Sequence, residues 1–139
     1  MRVRCEAEVR PTEDLEKVKK AMTSIFHGDV EARWTDEWSG RVTLEGKGLS
    51  SLEKLRMILQ RDRIRAAARS VLKRSVDGNR MVFFLNKQAA YAGHVSFSVP
   101  EGESPLGPIT ITIQIDTPER LIDWLTGQAE DRTREPNPS

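Results

Sequence analysis

Met81-Val82-Phe83-Phe84-Leu85-Asn86-Lys87-Gln88-Ala89-Ala90-Tyr91-Ala92-Gly93-His94-Val95-Ser96-Phe97 is the stretch from which the fold of this 139-residue chain is read. Five apolar residues in a row, closed by Asn86, predict a strand covered on both faces at the centre of a sheet. Asn86 is placed to cap, and Gly93 to end, a helix of under two turns over Lys87 to Ala92. So short a helix depends on packing against its neighbours. Its first turn would turn unpaired N–H groups outward beside the Lys87 ammonium. Asn86, Lys87 and Gln88 are therefore read as a candidate phosphate-binding turn, against the plainer reading of solvated polar residues.

On the N-terminal side, residues 2 to 10 alternate, with Val3, Cys5, Ala7 and Val9 facing one way and charged residues the other, as in a half-buried strand. Thr12 is read as the cap of a helix that buries Leu15, Val18, Met22, Ile25 and Phe26, leaving Lys17, Lys19 and Lys20 outside. Asp29 to Thr35 and Ser39 to Glu45 form a hairpin, with Trp34 and Trp38 near its tip expected in the core rather than as base-stacking platforms. Gly40 to Gly48 is no phosphate loop, because its glycine spacing and final residue are wrong. Ser50-Ser51-Leu52-Glu53 reads as a capping box opening a helix at about 51. Further on, Asp77-Gly78-Asn79 supplies the turn into the apolar strand, Val95, Phe97 and Val99 alternate in another, and residues 100 to 108 are a loop. Ile109, Ile111, Ile113 and Ile115 then give the clearest period of two. Thr117-Pro118-Glu119 starts a last helix that ends at Gly127, and residues 128 to 139 are polar and without periodicity, a disordered tail by composition. Fold class is thus α+β: one domain over 1–127, mainly antiparallel sheet with helices packed on it.

The net charge of +1 conceals a strong asymmetry. Residues 47 to 80 carry ten Lys or Arg against three Asp or Glu, whereas residues 1 to 46 have eight against ten and 81 to 139 have four against eight. Within the basic third, Arg61, Arg65, Arg69 and Lys73 recur every four residues, flanked by Arg56, Arg63 and Arg74. Like charges at this spacing repel by a few tenths of a kcal/mol per pair, about 0.2–0.5, so an isolated helix gains nothing from them. Two arrangements account for the ridge: phosphates of a nucleic acid docking on it, or carboxylates of the same protein pairing with it.

The residues Phe83-Phe84-Leu85-Asn86-Lys87-Gln88-Ala89-Ala90, Pro105-Leu106-Gly107-Pro108-Ile109 and Val9-Arg10-Pro11-Thr12-Glu13-Asp14, the last leading into Lys17-Val18-Lys19-Lys20-Ala21, resemble uncharacterised protein family 0201 over about residues 2 to 126. That resemblance implies an archaeal, RNA-binding and exosome-related protein. It also implies a fold like that of the large-subunit ribosomal protein that binds 5S RNA, a bend in the basic helix near Gln60 to Arg63, and no catalytic residues.

Other chemistry is sparse. Cys5 is alone, so there is no internal disulfide and no multi-cysteine zinc site. His27 and His94 stand in no metal-ligand spacing, and no nucleophile elbow or dinucleotide fingerprint occurs. No apolar run approaches the ~18 residues that span a bilayer, and Met1-Arg2-Val3-Arg4-Cys5-Glu6 contains no apolar h-region. The expectation is a cytoplasmic, non-catalytic protein without cofactor or metal whose partner is RNA. A protein-interaction subunit of an RNA-processing assembly is the alternative, and a sheet edge is available for homodimerisation.

Overall fold

The computed structural model describes residues 1–98 and 107–127; the expected strand residue Val99, the loop before Gly107 and the tail lie outside them. The strands are β1 (Arg2–Val9), β2 (Asp29–Trp34), β3 (Gly40–Lys47), β4 (Val76–Asp77), β5 (Arg80–Asn86), β6 (Phe97–Ser98) and β7 (Pro108–Gln114). The helices are α1 (Leu15–Ile25), α2 (Glu53–Arg61), α3 (Arg65–Arg74), α4 (Lys87–Tyr91) and α5 (Pro118–Leu125). All pairings are antiparallel, in the order β2-β3-β1-β7-β5-β4, with β6 also on β5. The fold is a single-domain α+β arrangement with an open antiparallel sheet.

One face of that sheet is apolar and carries the helices. Val3, Cys5, Ala7 and Val9 of β1, Val42 and Leu44 of β3, and Ile109, Ile111 and Ile113 of β7 are buried. They meet Val18, Met22, Ile25, Leu55, Leu59, Leu72, Leu121 and Leu125 from the helices in one continuous core. Each Val, Leu, Ile or Met side chain among them contributes roughly 1.5–3 kcal/mol by leaving water. The apolar run on β5 departs from its expected place. It lies beyond β7 rather than at the centre, and only Met81, Phe83 and Leu85 are buried, while Val82 and Phe84 are half-buried on the open face. A run of apolar residues can arise from one covered face plus partial cover on the other, which periodicity alone cannot separate.

Local start signals were displaced in two places. Asp14, not Thr12, caps α1, accepting the Glu16 N–H at 2.9 Å. Before α2 the Ser-Ser-Leu-Glu segment makes a 3-10 turn, Leu49–Leu52, and Ser51 Oγ donates back to the Gly48 carbonyl at 2.7 Å, so the capping box does not form. Gly46 lies against Ser51 so closely that a Cβ there would stand 2.6 Å from the serine Cβ.

The bend implied by the family resemblance is present. Arg63 adopts φ +59°, in the left-handed region, and closes α2 through Arg63 N–H to Gln60 O (3.2 Å) and Ile64 N–H to Leu59 O (3.1 Å). This is the Schellman hydrogen-bond pattern with arginine where glycine is usual. Buried Leu55, Ile58 and Leu59 on one segment and Ala68 and Leu72 on the other each reach the core across the break. Ala67, one residue before the buried Ala68, is exposed. The Gly93 stop after α4 has the same pattern, with φ +84° and His94 N–H to Ala89 O at 2.9 Å.

Trp34 and Trp38 are 56% and 67% exposed, which corrects the expectation that they fill the core. The hairpin runs past the helix layer: Trp34 pairs with Gly40, beside which α1 only begins at Leu15.

Candidate nucleic-acid interface

The bend splits the predicted ridge. Arg61 ends α2, and Arg65, Arg69 and Lys73 lie on α3, so the four residues do not share one helix. Their surroundings differ as well. Arg61 clasps Asp62 through Nε and Nη2 at 2.9 and 3.2 Å and donates to the Gly93 carbonyl at 2.7 Å. Asp62 also meets His94 Nδ1 at 2.8 Å, and with Arg61 as the stronger influence its carboxyl is lowered to about 2. Arg69 pairs with Asp123 of α5 at 2.7 Å and donates to Thr126 Oγ1 at 3.2 Å. Two members of the ridge are therefore engaged with carboxylates of their own molecule.

Others are not. Among the described residues Arg63, Arg65 and Lys73 are exposed and have no carboxylate within ion-pair distance, and Arg74 donates only to Ser70 Oγ at 2.7 Å. Arg65 lies over Gly127, its Nη1 2.7 Å from where a Cβ would stand, which directs it along the end of α5. Arg56 is half-buried: Nε donates to the Trp124 carbonyl at 2.9 Å and the guanidinium stacks 5.0 Å from that indole ring. It ties α2 to α5 rather than standing ready for phosphate.

The Asn86-Lys87-Gln88 turn is also corrected. Asn86 does cap α4, accepting the Ala89 N–H at 2.9 Å, so its carboxamide oxygen is in use. Lys87 is only 5% exposed; its ammonium turns inward to the Glu8 carbonyl and to both Glu13 carboxylate oxygens, at 3.0 and 3.3 Å. Burial lowers its pKa, an effect the Glu13 hydrogen bond and charge oppose. An ammonium so held joins β1, the loop before α1 and α4; it is not an open anion site. Gln88 alone of the three is exposed, and it lines a cleft of about 350 Å³ between α1 and α4.

That cleft has a group which the sequence reading passed over. Tyr91 is 41% exposed, with the ammoniums of Lys17 and Lys20 at 5.8 and 5.5 Å from its ring centroid. A tyrosine following two alanines in a short helix carries no periodic signal; only the packing of α4 on α1 brings it to the lysines. Elsewhere, burial, aided by Glu6, pushes the Cys5 thiol far up, so it stays protonated. Among the described residues no group of three His, Cys, Asp or Glu side chains is placed to hold a metal ion, and no helix is long and apolar enough to cross a membrane.

Comparison with known proteins places these features in a family. A family model described as RNA binding matches residues 2–115. A UPF0201 protein of Metallosphaera sedula is 42% identical over 120 residues, covering 86% of this chain and 82% of its own length. One of Pyrobaculum neutrophilum is 47% identical over 128 residues, covering 90% and 88%. The crystal structure of the UPF0201 protein from Methanococcus jannaschii superposes with a TM-score of 0.81 at 34% identity, covering 93% of this chain and 95% of that one. The chain belongs to this UPF0201 family, shared with archaeal relatives and matched by an RNA-binding family model.

Proposed function

We propose that this protein is a non-catalytic RNA-binding protein whose α3 surface grips the phosphate backbone. The observation that carries the reading is the exposure of Arg63, Arg65, Lys73 and Arg74 without carboxylate partners among the described residues, in a chain whose family model is described as RNA binding. Exposed arginine and lysine side chains without carboxylate partners carry uncompensated positive charge, and on binding they neutralise phosphates and release the counterions condensed on the nucleic acid. Arg61 and Arg69 act differently in this reading: their carboxylates hold the ends of α2 and α5, setting the frame on which the free cations stand. Contacts of this kind position a nucleic acid without reading its bases. The likeness to the 5S RNA-binding ribosomal protein and a place in an RNA-processing assembly belong to the same proposal.

The test is a salt series of RNA affinity with wild type and with Arg65→Glu/Lys73→Glu. Four phosphate contacts give a log–log slope of about −3, and removing two makes it shallower by about 1.5. Both substitutions are on exposed side chains, so circular dichroism and unfolding midpoint should hold. Unchanged affinity and slope in a folded double variant would remove α3 from the interface.

A further inference from the structure

The cleft between α1 and α4 combines features that the backbone-gripping surface lacks. Lys17 of α1 and Tyr91 of α4 line it together with Thr12, Glu13, Asp14 and Gln88 and the inward-turned Lys87; Lys20 of α1 stands outside the lining and reaches the same tyrosine ring. The volume, about 350 Å³, is at the small end of clefts that take a ligand of nucleotide size, roughly 300–1,000 Å³. Nearby carboxylates are committed elsewhere. Glu13 receives the Lys87 ammonium and the Arg10 N–H, Asp14 receives the Glu16 N–H, and Glu16 pairs with Lys19 at 3.6 Å. Lys17 and Lys20 have no carboxylate within ion-pair distance among the described residues, and both converge on one ring, where their charges repel. A cation over an exposed tyrosine is weakly held. A flat aromatic ligand carrying negative charge satisfies the whole arrangement: its ring takes the face of Tyr91, and its phosphates draw the two ammoniums apart.

We infer that this cleft is a subsite for one unstacked nucleotide of single-stranded RNA, with the base on Tyr91 and the adjoining phosphates on Lys17 and Lys20. The inference rests on the RNA-binding reading and adds to it a substrate class, since a base held in duplex cannot offer its face to a ring. Stacking on a tyrosine tolerates any base, so the subsite selects for strandedness rather than sequence. Gln88, exposed at the rim, has an amide that can meet a base edge without dictating which base it is.

The experiment measures binding of a fluorescein-labelled oligouridine and of a labelled duplex RNA to the full chain in a salt series. Tyr91→Leu, which retains apolar bulk against α1 but no π face, should weaken oligouridine binding about five-fold or more, within the range of one lost stack. Tyr91→Phe should bind as wild type does, and duplex affinity should not change in either variant. Lys17→Gln/Lys20→Gln should make the single-strand salt slope shallower by about 1.4. Oligouridine binding by wild type that Tyr91→Leu leaves intact overturns the subsite while the RNA-binding reading stands. Equal losses on oligouridine and duplex overturn the strand preference and so the subsite. Failure of wild type to bind either RNA at low salt overturns the RNA-binding reading itself, and the subsite with it.

Discussion

Removing the Glu13 carboxylate should be among the most damaging single changes in this protein, although Glu13 lies in a loop before α1. The ammonium of Lys87 is almost wholly out of water, and Glu13, whose side chain is itself 10% exposed, supplies the counter-charge at 3.0 Å. Glu13→Ala would strip the Lys87 ammonium of this counter-charge while leaving its hydrogen bond to the Glu8 carbonyl in place. Stripping one member of a buried pair costs about 3–5 kcal/mol. With an unfolding entropy of about 0.3 kcal/mol/K for a chain of this size, the midpoint should drop by about 10–17 °C. Denaturant unfolding should show the same loss as a lower midpoint at constant slope. Glu13→Leu/Lys87→Met should recover most of it, because two apolar side chains replace two desolvated charges. Lys87→Met should bind RNA as wild type does, since its ammonium faces the protein. A Glu13→Ala loss under about 1 kcal/mol, the scale of a solvated surface pair, would refute the reasoning, as would a tenfold loss of RNA affinity in folded Lys87→Met. The pH dependence has a definite sign. Burial lowers the folded pKa of Lys87 below its ordinary 10.5, so in that range the unfolded chain binds more protons than the native one. Wild-type stability should therefore rise relative to Lys87→Met as pH climbs toward 10.5.

Arg63→Gly should stabilise the protein by about 0.5–1 kcal/mol, because relief of a left-handed arginine, worth about 1–2 kcal/mol, outweighs the extra freedom of glycine in the unfolded chain; a lowered unfolding midpoint would mean that the Arg63 side chain contributes more than its backbone costs. Asp62→Asn should release Arg61 for phosphate and steepen the RNA salt slope by about 0.7–0.9, and an unchanged slope would show that the guanidinium stays on the Gly93 carbonyl. Because the Asp62 carboxyl is depressed from 3.8 to about 2, its stabilising influence is present above 3.8 and lost as pH falls toward 2. The stability difference between wild type and Asp62→Asn should shrink across that window in an acid titration.

Much of the fold was legible because strands and helices bury faces at fixed periods. The alternation in residues 2 to 10 and from Ile109 to Ile115 predicted β1 and β7, now neighbours in the sheet, and the spacing of Leu15, Val18, Met22 and Ile25 predicted α1. The Asn86 cap and Gly93 stop were equally local, since both depend on hydrogen bonds within a few residues. The site was less legible. A repeat of Arg61, Arg65, Arg69 and Lys73 shows that positive charge is concentrated, but whether a guanidinium is free depends on what another segment brings to it. Asp123, 54 residues downstream of Arg69, occupies one such group, whereas Arg65 finds no carboxylate within reach among the described residues. The chain's composition and periodicity determined the α+β class, the core faces and the basic character of its middle third. Tertiary structure alone decided that Lys87 is an internal strut, that Trp34 and Trp38 face water, and that Tyr91 meets Lys17 and Lys20. Burial and charge pairing are set by contacts between distant segments, which leave no period in the sequence to read.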